Sequence, residues 1–142
     1  HDIDYIILRF FNIYGIGQSS EYAGVITKFI KKTIKKEPLQ IFGNGLQTRD
    51  FVAIYDVIQS IHNASVYDKS GIFNIASGKI VTIKKLAEQM ILLSGEKLEI
   101  QFLTEKQGDI KHSQADISMA KNQIMYLPKF EVKEGIKELL NK

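Results

Sequence analysis

The sequence predicts a mixed fold of the α/β to α+β class, and two observations support this expectation. Segments typical of strands alternate with segments typical of helices along most of the chain, and turns such as Gly43-Asn44-Gly45 separate them. Hydrophobic residues make up 44% of the 142 residues and charged residues 25%, which is the composition of an ordinary globular domain. We therefore expect residues 1–142 to form a single domain.

The first half of the chain is predicted to begin with a strand over Asp4–Phe10, a near-continuous run of β-branched and aromatic residues. A glycine-containing loop is expected over Asn12–Ser20. The helix that follows runs from about Tyr22 to Lys36, because Pro38 disfavours helix at the residue before it. The other predicted elements are a strand over Leu39–Phe42, an extended segment over Arg49–Ile54 and a helix capped by Asp56 that ends near Tyr67.

Both of these helices are predicted to be amphipathic. The first carries five lysines at spacings of one helical face, which predicts a solvated surface: Lys28, Lys31, Lys32, Lys35 and Lys36. Its apolar face is expected to hold Ile26, Phe29, Ile30, Thr33 and Ile34. The second helix is expected to face the core through Val57, Ile58, Ile61 and Ala64.

The second half of the chain carries the clearest helix signals. Thr82 is placed to cap a helix with a continuous apolar stripe, and Gly95 is placed to end it. A strand is predicted before this helix over Gly71–Ala76. After it, we expect a strand over Leu98–Leu103 and two short helices over Ile117–Met125 and Val132–Leu140.

The first predicted strand is apolar on both faces, which normally places a strand inside a sheet that is covered on both sides. Few other strands are predicted to flank it, so the sequence looks as if it begins partway through a larger sheet. An exposed apolar edge invites β-pairing, so we also expect the chain either to associate through this first strand, with a homodimer as the simplest closed form, or to leave residues 1–12 disordered.

Several kinds of site lack their residues in this sequence. Cysteine is absent, and the three histidines have no metal-ligand spacing, so we expect no metal site. Neither Gly15-Ile16-Gly17 nor Gly43-Asn44-Gly45 has the third glycine of a dinucleotide-binding loop. No tyrosine is followed four residues later by lysine, and we expect no catalytic residue. Apolar runs are short and nucleic-acid-binding motifs are missing, so we expect no membrane or nucleic-acid partner and a cytoplasmic location.

Four segments, in one order along the chain, carry a resemblance to a known family. Leu8–Gly15 (LRFFNIYG) and Ile41–Phe51 (IFGNGLQTRDF) resemble the LRxFNxYG and IxGxGxQxRDF segments of extended short-chain dehydrogenase/reductases. Gly71–Gly78 (GIFNIASG) and Gly108–Ser118 (GDIKHSQADIS) are similar to two later segments of that family. These proteins are the NAD-dependent nucleotide-sugar epimerases and dehydratases, with UDP-glucose 4-epimerase as the best-known member.

The resemblance implies the C-terminal, substrate-binding part of a Rossmann-type epimerase, with a few strands left over from the parent sheet. It also implies that the strand at Phe73–Ala76 lies beside the first strand. The N-terminal part, absent here, would hold the glycine-rich NAD loop and the Tyr-x-x-x-Lys base. We therefore expect the 142-residue chain alone to be inactive and not to hold NAD, although the full-length parent would use it. A nucleotide-sugar dehydratase portion and a non-catalytic, truncated binding module are the alternatives.

The resemblance also implies which residues bind. Arg49, one of only two arginines beside 17 lysines, would place its planar fork on the diphosphate of a nucleotide-diphosphate sugar; its alternative is structural pairing with Asp50 or Asp56. Asn12 would reach the diphosphate or sugar, or act as a loop cap. The remaining positions are Gln40 and Phe42 at the base (Phe42 alternatively a strand core), Val25 at a phosphate, and Phe11 and Ile13 beside the nicotinamide.

The chain departs from the family pattern where two arginines are usual. Lys106 and Lys111 stand there instead, and lysine supplies charge without the bidentate fork, so weaker phosphate contacts are expected. Asp109 matches a position that contacts a ribose or sugar hydroxyl. Asp50 is expected to brace the turn rather than touch substrate.

Overall fold

A computed structural model describes residues 3–18 and 24–141, and it has the predicted mixture of helices and strands. The predicted helix start at Tyr22 lies outside the described residues. In chain order the elements are β1 (Ile6–Phe10), β2 (Asn12–Tyr14), α1 (Val25–Ile34), β3 (Leu39–Phe42), β4 (Thr48–Ala53), α2 (Ile54–Ser65), β5 (Gly71–Ile75), β6 (Ile80–Thr82), α3 (Ile83–Ser94), β7 (Ile100–Leu103), α4 (Ser118–Gln123) and α5 (Val132–Leu140).

The strands of the described residues form three small sheets. β1 pairs with β5 in parallel, with Leu8 opposite Phe73, which confirms the predicted neighbour of the first strand. β3 pairs in parallel with β7, and β4 lies between β2 and β6. The strands β2 and β6 are three residues long and were not predicted; Asn12–Tyr14 forms a strand where a loop was expected.

β4 separates two hydrophobic clusters because its side chains alternate between two faces. Phe51 and Ala53 pack into a cluster with α1, β3, α3 and α5. Val52, between them, packs into a second cluster with α2, β5, α4 and Tyr126. β4 is therefore buried on both faces, and this burial fixes the position of the side chains at its start, including Arg49.

The prediction that Asp56 caps α2 is wrong. Ala53 is the N-cap residue, and Asp56 lies in the first turn, where its side chain is buried. Its carboxylate instead accepts hydrogen bonds from the backbone N–H groups of Lys129 and Phe130, at 2.9 and 3.2 Å. Asp56 thus accepts hydrogen bonds from backbone N–H groups, as a capping residue does, but in a segment more than 70 residues along the chain. Local sequence spacing does not reveal such a distant partner.

Three residues predicted to face the core are exposed instead. Val57 and Ala64 are buried on α2, but Ile58 and Ile61 are 57% and 49% exposed. On α1, Ile34 is 64% exposed at the last turn. Within the described residues, no layer covers the side of α2 that Ile58 and Ile61 face. None of the described helices has the length and apolar character needed to cross a membrane.

Candidate functional site

A cavity of about 540 Å³ opens between β2, the start of α1, β3 and the beginning of β4, and a segment around residues 106–109 forms one of its walls. Nine of the ten residues that sequence analysis placed in a binding site line it: Phe11, Asn12, Ile13, Val25, Gln40, Phe42, Arg49, Lys106 and Asp109. The structure therefore gathers residues that are up to 98 positions apart into one place.

The alternation of strand side chains explains how β3 and β4 contribute. Leu39 and Ile41 of β3 are buried in the core, so Gln40 and Phe42 face the cavity. On β4, Arg49 has the same parity as Phe51, and both line the cavity. Two short strands thus fix the direction of Gln40, Phe42, Arg49 and Phe51, and Ile41 of the core also borders the cavity.

Arg49 is held by three acceptors. Its guanidinium donates to the carboxylate of Asp109 at 2.7 Å and to the backbone carbonyls of Thr48 and Ile110. The side chain is only 14% exposed. Neither Asp50 nor Asp56 pairs with it, so the alternative partners predicted from the sequence are wrong, and the actual partner lies 60 residues along the chain. A guanidinium has five N–H donors, so donors remain for a ligand.

Asp50 has the structural role that the sequence suggested. Its carboxylate is fully buried and accepts from the backbone N–H groups of Ser77, Gly78 and Ala115, at 2.9 to 3.3 Å, and from the hydroxyl of Ser77. Because it has the opposite parity to Arg49, it points away from the cavity. It ties the start of β4 to the turn after β5 and to the segment that carries Asp109.

Phe42 and Lys106 contact each other directly. Phe42 is half-buried, and the ammonium of Lys106 lies 4.0 Å from the centre of its ring, a cation–π contact. The backbone carbonyl of Phe42 accepts from the side-chain amide of Gln47 at 2.8 Å. The ring is therefore fixed at the cavity wall rather than packed in a strand core.

Two candidate polar contacts lie where β2 and α1 meet the cavity. The amide nitrogen of Asn12 donates to the backbone carbonyl of Asp50 at 2.9 Å, which fixes the side chain. α1 begins at Val25 after Gly24, and no side chain of the described residues caps this end. Unsatisfied N–H groups at a helix start attract anions.

Apolar residues of β2 line another part of the cavity. Phe11 and Ile13 are half-buried, and Tyr14 is buried with its hydroxyl directed to the backbone carbonyl of Glu131. Burial, together with nearby carboxylates such as Asp56 and Glu131, raises the pKa of Tyr14 above its usual range. This phenol stays protonated at neutral pH and does not supply a base.

Lys111 and Arg9 do not line this cavity. Lys111, the tenth predicted site residue, does not line it; its exposed ammonium pairs with Glu105 beside a smaller depression. Arg9 lies exposed on β1 and does not line the cavity either. The backbone carbonyl of Lys111 accepts from the N–H of Thr48 at 2.9 Å, and its side chain lines the smaller depression together with Phe42 and Asp109, so its assignment to the binding site stays a prediction.

Two lysines that were not predicted as candidate site residues line the cavity. Lys28 and Lys32 line the cavity, although all five lysines of that segment were expected to face solvent. Their spacing from Val25 is three and seven residues, which places all three on one face of a helix. That spacing was the available signal, because Val25 was already assigned to the site. The described cavity lining therefore holds four cationic side chains and one carboxylate: Lys28, Lys32, Arg49, Lys106 and Asp109.

Comparisons with known proteins agree with this arrangement. The family model described as "NAD dependent epimerase/dehydratase family" matches residues 1–76. The chain belongs to this epimerase/dehydratase family. It is 35% identical over 142 residues to a putative UDP-glucose 4-epimerase of Methanocaldococcus jannaschii, and 30% identical to a UDP-glucuronate 4-epimerase of Thermodesulfobacterium geofontis.

Solved structures of the epimerase/dehydratase family share the fold. A UDP-glucose 4-epimerase of Thermotoga maritima with UDP-glucose superposes with a TM-score of 0.94 at 29% identity, over 98% of this chain and 45% of that one. A UDP-N-acetylglucosamine 4-epimerase of Methanobrevibacter ruminantium, in complex with UDP-N-acetylmuramic acid, gives 0.92 at 35% identity, over 98% and 46%. The fold is that of part of a Rossmann-type epimerase. The chain spans less than half the length of the relatives named here.

Proposed function

We propose that this chain is the nucleotide-sugar-binding portion of an NAD-dependent nucleotide-sugar epimerase similar to UDP-glucose 4-epimerase. The observation that carries the proposal is the single cavity that gathers nine of the ten residues implied by the family resemblance. The proposed domain is the whole of residues 1–142, acting as one substrate-binding unit.

The cavity suits a nucleotide diphosphate in charge and in shape. Four cationic side chains and one carboxylate line it, so it favours an anion. Arg49, Asn12 and the start of α1 would take the diphosphate, with Lys106 as a weaker cation. Phe42 and Gln40 would take the base, and Asp109 a hydroxyl of the ribose or sugar while it holds Arg49.

NAD is the cofactor proposed for the full-length parent. Phe11 and Ile13 fit contact with a nicotinamide ring, because both are half-buried apolar side chains that line the cavity. When bound, NAD supplies hydride transfer. We propose that the 142-residue chain alone neither holds NAD nor turns over a nucleotide sugar, and that the parent works in the cytoplasm.

The first experiment is a thermal-shift screen of the chain against UDP, dTDP and GDP sugars, with NAD as a separate arm. We expect the melting temperature to rise with at least one nucleotide sugar, because a ligand that binds only the folded state stabilises it. NAD alone should produce no shift. A chain that responds to no nucleotide sugar would contradict the proposal, and stoichiometric NAD after purification would contradict the cofactor part.

A second experiment ranks two basic residues. Arg49→Lys should weaken binding of the best nucleotide sugar by about 1.5–3 kcal/mol, since it removes the fork and leaves only charge. Lys111→Ala should cost well under 1 kcal/mol, because that lysine is exposed and stands outside the cavity. Isothermal titration calorimetry measures both affinities. Equal losses for the two variants would show that Arg49 has no special role.

A further inference from the structure

We infer that Lys28 supplies the free positive charge that binds the diphosphate in this cavity. The inference rests on the proposed function and adds a binding residue that the family motifs do not contain.

Most of the positive charge in the cavity is already engaged. The guanidinium of Arg49 is paired with Asp109 at 2.7 Å, so this pair has no net charge to offer a ligand. Lys32 lies 3.4 Å from the carboxylate of Glu37. Lys106 lies over the ring of Phe42, which holds the position of its ammonium without neutralising the charge. A diphosphate with two negative charges therefore needs a cation beyond Arg49.

Lys28 is the cavity lysine with neither an ion pair nor a ring contact among the described residues. It lies in α1 three residues after Val25, the residue that begins the helix and also lines the cavity. The two therefore lie on one face, one helical turn apart. The ammonium of Lys28 lies on a long flexible chain at the side of the cavity where the uncapped helix start attracts an anion.

The same helix provides a matched control. Lys31 is one of the exposed lysines of α1, and it does not line the cavity. Lys28→Gln and Lys31→Gln remove the same charge from the same helix with the same change in side chain. A difference between their ligand affinities therefore reports position and not net charge.

The test is isothermal titration of the full chain with UDP, with uridine and with inorganic pyrophosphate. We expect Lys28→Gln to weaken UDP and pyrophosphate binding about tenfold, which corresponds to about 1.4 kcal/mol, and to leave uridine binding unchanged. Lys31→Gln should change none of the three affinities by more than about twofold. Lys28→Arg should restore most of the loss, and added salt should narrow the gap between Lys28→Gln and wild type.

Three other results would contradict the inference about Lys28, the proposed function or both. If UDP binds wild type and Lys28→Gln behaves as Lys31→Gln does, the inference is wrong and the proposed function stands. If pyrophosphate binding depends on Lys28, but UDP binds no more tightly than pyrophosphate and uridine does not bind, the base contributes nothing. The inference then stands and the proposed function fails. If wild type binds neither UDP nor pyrophosphate, both are wrong.

Discussion

The two sides of β4 differ in how completely they are buried. On the cavity side, the core formed by α1, β3, α3, α5 and the Phe51 face of β4 is closed: Leu39, Ile41 and Met90 are at most 1% exposed. On the open side, formed by β1, β5, α2 and α4, Phe73 and Ile75 are equally buried, but large apolar residues of β1 and α2 face outward.

The difference concerns the outward faces and not the inner packing. Ile6 and Leu8 of β1 pack inward, while Ile7 between them is 46% exposed and Tyr5 before them 53%. A strand designed for solvent would carry polar residues at those two positions. Exposed apolar residues also occur on the cavity side, among them Ile34 of α1, Leu92 of α3 and Phe102 of β7. On the open side they recur along β1 and lie one turn apart on α2, which is the pattern of a layer with a second covering surface.

Asp50 joins the two sides, and its removal should have the largest effect. In Asp50→Ala, the backbone N–H group of Ala115, which is buried, and those of Ser77 and Gly78, which are half-buried, lose their acceptor, and we expect the free energy of unfolding to fall by roughly 3–5 kcal/mol. Urea denaturation followed by circular dichroism measures the loss. Asp68→Ala, an exposed aspartate, is the control and should change stability by less than about 0.5 kcal/mol. A loss for Asp50→Ala as small as that of the control would show that the two sides do not depend on this carboxylate.

The open side should make the chain associate, and this is the next largest effect. Covering the exposed halves of Tyr5, Ile7 and Phe10 would contribute about 1 kcal/mol each. We therefore predict a dimer through β1, detected by light scattering at several concentrations. Tyr5→Thr combined with Ile7→Thr should shift the chain towards monomer, and Leu92→Thr, at a lone exposed leucine of α3, should not. A wild-type chain that stays monomeric at all concentrations would show that the exposed apolar residues of the open side do not cause association.

Elements with local signals were predicted well from the sequence. Thr82 caps α3 by accepting from the N–H of Lys85 at 3.1 Å, and Gly95 ends it in the left-handed conformation, as the sequence indicated. The helix over Val132–Leu140 and the strand over Leu39–Phe42 have the predicted bounds. Caps, turn glycines and apolar stripes act within a few residues, so a single sequence contains them.

The features that were missed depend on distant parts of the chain. β2 and β6 are three residues long and exist because β4 lies between them to accept their pairing. The partner of Arg49 is Asp109, and the partners of Asp56 are backbone groups near Phe130. Ile58 and Ile61 are exposed because no described element packs over that face of α2. Helical periodicity identifies an apolar face but not whether another element covers it. Nine of the ten candidate site residues line one cavity, whereas their hydrogen-bond partners were not predicted, because family motifs identify positions and not contacts.

Two buried tyrosines give the smallest expected effect, one on each side of β4. Burial, then neighbouring carboxylates, raise the pKa of Tyr14 on the cavity side and of Tyr126 on the open side above the usual 10.0. Below pH 10 both phenols are neutral in the folded and unfolded chain, so their contribution to stability is fully present. As the pH rises above 10, the unfolded chain loses these protons first, and the free energy of unfolding should fall by about 1.4 kcal/mol per pH unit for each tyrosine.

Phenylalanine variants separate the two contributions. Tyr14→Phe and Tyr126→Phe should each remove one share of the alkaline slope, measured by urea denaturation from pH 8 to 11. At pH 8 each should cost about 1 kcal/mol or less for its lost hydrogen bond, with Tyr126→Phe the more costly, since its hydroxyl donates to the carbonyl of Ala76 at 2.9 Å and that of Tyr14 to Glu131 at 3.3 Å. If the two sides unfold as one unit, urea denaturation shows a single transition, and each variant reduces the pH dependence of its free energy of unfolding. Two separate transitions, each sensitive to one variant, would instead show that the closed and open sides of β4 unfold independently.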